Sequence, residues 1–138
     1  MNMHVSLSRV YTFSAAHRLH SSALDNNTNR QVYDKCNNLY GHGHDYIIEI
    51  TVSGSPHPQT GFIIPLQELD EAVLSLLNQL DYRYLDREVE PFQDVISTGE
   101  NIIRFLWNEM EKRLPTDILY HIKLWETNNN YFEIGKEL

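Results

Sequence analysis

Polar and apolar residues alternate along two segments in the first half of the chain, 5–15 and 45–53. Successive side chains of a β-strand point to opposite faces, so this alternation predicts two strands that each bury one face. Two further strands are predicted near the end of the chain, over 118–126 and 131–134, joined by the turn TNNN. The apolar positions that share a face are Val5, Leu7, Tyr11 and Phe13 in the first strand and Tyr46, Ile48, Ile50 and Val52 in the second.

A helical periodicity marks the middle of the chain. After Pro65, which suits the first position of a helix, apolar residues recur three or four positions apart. A second helix is predicted from Ser97, because Ser97-Thr98-Gly99-Glu100 matches the capping box, in which a hydroxyl and a carboxylate satisfy free backbone N–H groups. The apolar stripes are Leu66, Leu69, Val73, Leu76 and Leu80 in the first helix and Ile103, Leu106, Trp107, Met110 and Leu114 in the second.

The order of these elements is strand, strand, helix, helix, strand, strand. Helices grouped between pairs of strands predict an α+β fold, in which a four-stranded antiparallel sheet carries both helices on one face. Residues 21–39, rich in Ser, Asn and Asp, form the longest predicted loop. The length of 138 residues fits a single domain, 1–138. Such a sheet has two open edges, and these favour pairing with another subunit.

Composition and charge narrow the class of protein. Acidic residues outnumber basic ones by 19 to 11, and the net charge of −8 argues against a nucleic-acid partner or an anionic membrane surface. The sequence lacks the run of about 18 apolar residues that a membrane-spanning helix needs. A single cysteine, Cys36, cannot form an intrachain disulfide, and the first residues lack the pattern of a signal peptide. We therefore expect a cytoplasmic protein.

Two histidines, His42 and His44, are separated only by Gly43 in the segment YGHGHDY. Residues two apart in a strand project to the same face, so both imidazoles can share a cation. A third histidine, His17, lies near the end of the first strand and comes beside them if the first two strands form an antiparallel pair. Three neutral imidazoles with an open fourth position describe a catalytic zinc site. The remaining histidines are predicted to be surface or packing residues: His4, His20, His57 and His121.

Cys36 precedes His42 by six residues, in a polar segment next to Lys35. A lone thiol is more often a small buried apolar residue. Spacing alone leaves two functional roles open here: a reactive thiolate, which the nearby cation would favour, or a fourth zinc ligand that would close the site. Glu126 ends a strand just before a turn, and taken alone it is most simply a solvated strand end.

Seven segments together resemble the 6-pyruvoyl tetrahydropterin synthase family, which has the tunnelling fold. They follow the family's order along nearly the whole chain and are specific as a set. The segments are FSAAHRL (13–19), KCNN (35–38), GHGHDY (41–46), QTGFII (59–64), LDYRYLD (80–86), STGEN (97–101) and WETNNN (125–130). The resemblance implies that three subunits join their sheets into a barrel, that two such trimers form a homohexamer, and that active sites lie at subunit interfaces.

The resemblance also implies the chemistry and the site. The family's substrate is 7,8-dihydroneopterin triphosphate, from which triphosphate is eliminated while side-chain hydroxyls are oxidised and the pterin ring is reduced. No external redox cofactor takes part, and Zn²⁺ serves as a Lewis acid. The family's zinc ligands correspond to His17, His42 and His44. Its general base corresponds to Cys36, and its pterin-anchoring carboxylate corresponds to Glu126, where paired acceptors suit two N–H donors.

Two further parts of the family's site correspond to residues of this chain. Thr98 and Glu100 match the motif that supports the pterin. The relay beside the cysteine is Asp-His in the family, whereas this chain has Asp81-Tyr82. Histidine titrates at about pH 6.5 and can shuttle protons near neutrality, whereas tyrosine titrates at about pH 10. The substitution implies slow activity, use of Tyr82 as a proton donor, or a move to a related pterin substrate.

Three functions follow from these expectations. The leading one is a zinc-dependent 6-pyruvoyl tetrahydropterin synthase of tetrahydrobiopterin biosynthesis. The alternative within the same fold is a 6-carboxytetrahydropterin synthase of queuosine biosynthesis, although the segments KCNN and ETNNN look more like the pyruvoyl type. The third is a metal- and pterin-binding homologue with weak or no turnover, because of Tyr82. Arg18 and Lys35 are simple candidates for holding the triphosphate.

Overall fold

A five-stranded sheet forms one layer of the molecule, and helices cover one of its faces. The computed structural model describes residues 3–136, and no helix in this range is long and apolar enough to cross a membrane. The strands are β1 (Val5–His17), β2 (His42–Gly54), β3 (Arg83–Tyr84), β4 (Leu119–Thr127) and β5 (Asn130–Gly135), in the spatial order β3-β1-β2-β4-β5. The helices are α1 (Asn26–Tyr33), α2 (Leu66–Leu77), α3 (Leu85–Glu88), α4 (Pro91–Asp94) and α5 (Gly99–Arg113), with a short 3-10 helix over Asp34–Asn37.

The prediction of a four-stranded sheet was one strand short. The four long strands pair antiparallel as predicted, and the α+β class is confirmed. The fifth strand, β3, has two residues and pairs in parallel with β1 at Ala15 and Ala16. Two residues are too few to show an alternating pattern, so this strand could not be found from periodicity.

Residues 21–39, predicted to be a loop, are largely helical. Asp25 caps α1 by accepting a hydrogen bond from the backbone N–H of Thr28 (2.7 Å). The buried Asn29 amide donates to the carbonyls of Ser21, Leu24 and Asp25 and accepts from the Ser21 N–H. Hydrogen bonds of polar side chains therefore hold this segment, which is why it shows no apolar stripe.

Helices α2 and α5 pack on the face of the sheet that the alternation predicts to be buried. On the opposite face, Ile47 of β2 is 41% exposed. Helix α2 follows Pro65 as predicted, although Leu66 at its start lies mostly outside the core (36% exposed). Burying each large apolar side chain stabilises the fold by about 1.5–3 kcal/mol. The shared core includes Tyr46, Ile48, Ile50, Val52, Leu69, Val73, Leu76, Ile102, Leu106 and Met110.

Helix α5 begins one residue later than the capping-box pattern predicts. Thr98, and not Ser97, is the N-cap, and its hydroxyl accepts from the backbone N–H of Asn101 (3.2 Å). Glu100 is exposed in the first turn. Ser97 is fully buried, and its hydroxyl donates to the carboxylate of Asp86 (2.5 Å). Because Thr98 takes the cap position, Ser97 is buried in the interior, next to His17 at the end of β1.

Candidate metal-binding active site

The register of β1 and β2 brings the three predicted metal ligands together. His17 pairs with His42, and Ala15 pairs with His44. The three imidazoles therefore lie on one face at one end of the sheet. One ring nitrogen of each histidine lies within 4.8 Å of those of the other two. The strand pairing inferred from the sequence thus produces the expected cluster.

Each of the three rings turns an unsatisfied nitrogen toward the interior. Within residues 3–136, His17 Nε2, His42 Nδ1 and His44 Nε2 are buried and have no hydrogen-bond partner. A buried polar atom left unpaired costs about 1–3 kcal/mol, so three of them in one cluster call for a shared ligand. Three imidazole nitrogens form the donor set of a catalytic zinc site, and the residues fit such an ion.

A chain of hydrogen bonds orients the His17 ring through Nδ1, the nitrogen that is not part of the cluster. The Nδ1 of His17 lies 2.8 Å from the carbonyl oxygen of Ser97, so Nδ1 carries the proton and Nε2 keeps its lone pair. The Ser97 hydroxyl in turn donates to Asp86, whose carboxylate also accepts from the backbone N–H of Arg18 (2.6 Å). The sequence offered Ser97 only as a helix cap and gave no signal for Asp86, so both supporting residues were missed.

The environment favours neutral imidazoles. Burial lowers the pKa of His42, and the two other histidines of the cluster lower it further. Burial also lowers the pKa of His44, against the opposing charge of Glu126. Because a metal ion binds the neutral form of histidine, the lowered pKa values of His42 and His44 favour binding of a cation near neutral pH.

Glu126 lies close to the histidine cluster, and Cys36 in turn lies close enough to Glu126 to be affected by its charge. Trp125 pairs with Ile47, so Glu126, the next residue of β4, lies on the sheet face that carries the cluster. The half-buried carboxylate of Glu126 accepts from Asn130 Nδ2 (3.3 Å), and its charge raises the pKa of both His42 and His44.

The thiol of Cys36 is half-buried in the 3-10 helix. Burial raises the pKa of the thiol, and the charges of Glu126 and Asp34 raise it further. The expectation that Lys35 favours the thiolate is therefore not borne out in the chain by itself. Among the described residues, the converging set of metal-ligating atoms consists of three imidazoles and leaves out the thiol.

The predicted relay residues, Asp81 and Tyr82, lie beside β1 and form their hydrogen bonds with the backbone of Ser14. The Asp81 carboxylate accepts from the backbone N–H of Ser14 (2.8 Å). The Tyr82 side chain is 85% exposed on a left-handed backbone (φ 60°), and its N–H donates to the Ser14 carbonyl (2.6 Å). Tyr82 and His44 border one cavity of about 440 Å³. In the part of the chain that the structure describes, no hydrogen bond joins Asp81 or Tyr82 to Cys36.

Tyr46 belongs to this site, although its sequence position indicated only a core residue. Its ring is fully buried, stacks on Phe13 (4.8 Å between centroids) and meets the ring of His44 edge-on (5.7 Å). Its hydroxyl is buried and finds no hydrogen-bond partner among residues 3–136. Burial raises the pKa of Tyr46, and the charge of Glu126 raises it further. The phenol is therefore a neutral, unsatisfied donor beside the cluster.

We expect Tyr46→Phe to leave the free energy of unfolding unchanged or to raise it by about 1 kcal/mol, because it deletes a buried hydroxyl that has no partner and keeps the ring. Urea denaturation of the metal-free chain measures this change. Tyr11→Phe is the matched control: the Tyr11 hydroxyl donates to Asp70 (2.6 Å), so its loss should destabilise by about 1–2 kcal/mol. A clear loss of stability in Tyr46→Phe would show that the hydroxyl is satisfied after all.

The fold and the site define a class: an α+β protein with three imidazoles placed to hold a metal ion, a carboxylate whose charge acts on two of them, and a thiol that is affected by the same carboxylate. Residues 6–137 match the model of the family described as 6-pyruvoyl tetrahydropterin synthase. The chain belongs to the 6-pyruvoyl tetrahydropterin synthase family, whose members are lyases.

Individual relatives agree with this assignment. The 6-pyruvoyl tetrahydrobiopterin synthase of Poecilia reticulata is 44% identical over 125 residues, which cover 90% of this chain and 85% of the relative. The protein of that name from Homo sapiens is 42% identical over 125 residues, covering 90% and 86% of the two chains. The structure of Caenorhabditis elegans 6-pyruvoyl tetrahydropterin synthase superposes with a TM-score of 0.93 at 34% identity, covering 98% of this chain and 97% of the other.

Proposed function

We propose that this chain is a zinc-dependent 6-pyruvoyl tetrahydropterin synthase. It eliminates triphosphate from 7,8-dihydroneopterin triphosphate and rearranges the remainder internally to 6-pyruvoyl tetrahydropterin. The observation that carries the proposal is the set of three converging imidazole nitrogens, unpartnered among residues 3–136, with Glu126 acting on two of the rings and Cys36 under the influence of Glu126. Family membership and the identity to named synthases support the same reaction.

His17, His42 and His44 would hold the zinc ion. When bound, Zn²⁺ supplies Lewis acidity toward oxygen atoms of the substrate's side chain. The hydrogen bond that His17 Nδ1 donates to the Ser97 carbonyl keeps the opposite nitrogen directed at the cluster. The protein's contribution is thus a rigid donor set that needs little rearrangement on binding.

Glu126 anchors the pterin in this proposal. A carboxylate offers two acceptors in one plane, which match the two adjacent N–H donors on the guanidine-like edge of the ring. Asn130 holds one carboxylate oxygen in place. Thr98 and Glu100, at the start of α5, support the pterin in the same scheme. Thr98 directly follows Ser97, which contacts a metal ligand.

Cys36 is the general base that takes a proton from the substrate's side chain. The Glu126 charge helps to keep its thiol protonated in the chain alone. Pterin N–H donors that pair with Glu126 would offset that charge, so substrate binding would itself ease ionisation of the thiol. The base would then form when the substrate is in place.

Asp81 and Tyr82 form the proposed relay, and their placement suits an assembly. Tyr82 is largely exposed, and the sheet ends in the open strands β3 and β5. We propose a homohexamer of single-domain subunits, built as a dimer of trimers, in which an exposed relay meets a neighbouring subunit's site. The lone cysteine is in keeping with a cytoplasmic location.

A product assay tests the reaction. Zinc-loaded protein is incubated with 7,8-dihydroneopterin triphosphate, and the products are identified by mass. We expect 6-pyruvoyl tetrahydropterin. A 6-carboxytetrahydropterin product would replace the proposal with the synthase of queuosine biosynthesis. Unchanged substrate with saturable binding would indicate a metal- and pterin-binding homologue, the alternative that rests on tyrosine standing at position 82 where the family has histidine.

A further inference from the structure

The aromatic ring of Tyr84, the last residue of β3, packs against the turn that leads into β2. The tip of the ring lies on the backbone of Gly41: a Cβ placed on this glycine would be 2.5 Å from Oη and 2.9 Å from Cζ of Tyr84. Such an approach leaves no room for a side chain, so glycine is required here for close contact. Gly41 directly precedes His42, so the ring of Tyr84 touches the chain next to a metal ligand.

Gly41 closes the turn that joins the 3-10 helix of Cys36 to β2. Its N–H donates to the carbonyl of Asn38 (2.9 Å), and its φ of 76° lies in the left-handed region that glycine adopts without strain. The other end of the turn is anchored, since the carbonyl of Cys36 accepts from the backbone N–H of Leu19 (2.8 Å). A group that packs on Gly41 therefore determines how the chain enters β2, and with it the position of His42.

The ring of Tyr84 is itself held in place. Tyr84 pairs with Ala16 of β1, and its backbone N–H donates to the carboxylate of Glu88 (2.6 Å). The guanidinium of Arg87 lies over the half-buried ring, 4.7 Å from its centroid, in a cation–π contact. The ring cannot turn away from Gly41 without losing this contact, so it forms a fixed support for the turn.

The segment that carries Tyr84 also supports the other strand of the metal centre. Asp86 of α3 accepts from the Ser97 hydroxyl, and the Ser97 carbonyl accepts from His17 Nδ1. His17 and His42 are paired across the two strands, and their ring centroids lie 4.8 Å apart. One short segment thus reaches the end of β1 through Asp86 and the start of β2 through Tyr84.

We propose that Tyr84 is a positioning residue of the metal centre, whose ring holds the turn at Gly41 and so keeps His42 at the distance from His17 that a shared ion requires. The inference rests on the proposed function, because it deepens the account of the same site. Imidazole nitrogens bind zinc at about 2.0–2.1 Å, so a ligand whose strand shifts outward loses its bond. The support acts through packing, and phenylalanine at this position should keep most of it.

The zinc affinity of the full chain, measured by competition with a chelator, tests this role. Tyr84→Leu should weaken zinc binding about 10-fold, and Tyr84→Phe, which keeps the ring, should stay within about 3-fold of the wild type. The absorption bands of the Co²⁺-loaded protein, which follow the coordination geometry, should change in Tyr84→Leu. Circular dichroism checks that each variant is folded. A lower free energy of unfolding in Tyr84→Leu with unchanged zinc affinity and Co²⁺ spectrum would overturn the proposal.

A double-mutant cycle tests the contact between Tyr84 and Gly41. Gly41→Ala should weaken zinc binding by at least about 10-fold, because the added methyl group meets the Tyr84 ring. In Gly41→Ala/Tyr84→Leu the total loss should be at least about 5-fold smaller than the product of the two single losses, because the clash is relieved. A double variant that shows the full product would mean that the ring does not hold the turn.

Gly61→Ala is the matched control for backbone strain. Gly61 has nearly the same conformation (φ 78°), yet a Cβ placed there meets no atom of residues 3–136 within 4 Å. Its zinc affinity should therefore equal that of the wild type, which assigns the effect at Gly41 to its position beside Tyr84. A loss in Gly61→Ala as large as that in Gly41→Ala would instead point to a general effect of strain and overturn the proposal.

The product assay separates this inference from the proposed function. If the wild type forms 6-pyruvoyl tetrahydropterin but the Tyr84 and Gly41 variants bind zinc as tightly as the wild type, the positioning role is wrong and the function stands. If zinc affinity falls in these variants as expected but the wild type forms no pyruvoyl product, the positioning role stands and the function is wrong.

Discussion

Replacing His44 by alanine is expected to remove the bound metal and to abolish turnover. His44 supplies one of three nitrogens that lie within 4.8 Å of one another, and two imidazoles cannot complete the zinc donor set. Changes to residues that merely support metal ligands cost about 10–100-fold in affinity, so loss of a ligand should exceed that range. Metal analysis after gel filtration and the product assay measure the two effects.

His57→Ala is the control for this variant. His57 is exposed, and its ring accepts a hydrogen bond from the nearby backbone N–H of Gln59. Its loss should leave metal content and rate at wild-type values. Circular dichroism checks that His44→Ala remains folded. Retention of a full equivalent of metal in folded His44→Ala would mean that this imidazole is not a ligand.

The second large effect is expected at Cys36. Cys36→Ala should lower kcat by at least about 100-fold, the range of a lost general base, while the metal content stays at one ion per chain. The reason is that the thiol is affected by Glu126, which acts on the histidines, but does not belong to their converging set of nitrogens, as far as residues 3–136 show. Metal analysis and the product assay on the same preparation measure both quantities.

Two outcomes would contradict this role. Loss of the metal in Cys36→Ala would make the thiol a fourth ligand, the alternative that sequence spacing left open. Turnover at the wild-type rate would place the base elsewhere. The pH profile adds a further check: because burial and nearby carboxylates raise the pKa of the thiol, the rate should rise with pH on the alkaline side of neutrality.

The histidine cluster could be predicted from the sequence because two simple regularities determine it. Alternation places His42 and His44 on one face of a strand, and antiparallel pairing with β1 places His17 opposite them. Both regularities are properties of the backbone and need no knowledge of distant contacts. The family resemblance, drawn from seven separated segments, is likewise confirmed by the match over residues 6–137.

The residues that support the cluster could not be predicted in this way. Ser97 reads locally as a helix cap, and only the packed structure shows that its carbonyl meets His17 and its hydroxyl meets Asp86. These contacts join positions 80 and 11 residues apart, and no periodicity links them. Tyr46 presents the same difficulty, because an inward-facing tyrosine of a strand looks like any other core residue.

The polar segment between β1 and β2 was mispredicted for a different reason. Its helix α1 depends on the Asp25 cap and on the buried Asn29 amide, and such hydrogen bonds are common in loops as well. The segment nevertheless positions Arg30 and Lys35 along a cavity that His42 also borders. A prediction based on apolar patterning therefore missed a helix that lines this cavity.

Zinc K-edge X-ray absorption on the purified chain tests the central claim most directly. We expect one zinc per chain with three nitrogen ligands at about 2.0–2.1 Å and a remaining ligand that is oxygen. A sulfur ligand at about 2.3 Å would show that Cys36 closes the site. That result, or a chain that binds no zinc, would contradict an open centre made by His17, His42 and His44.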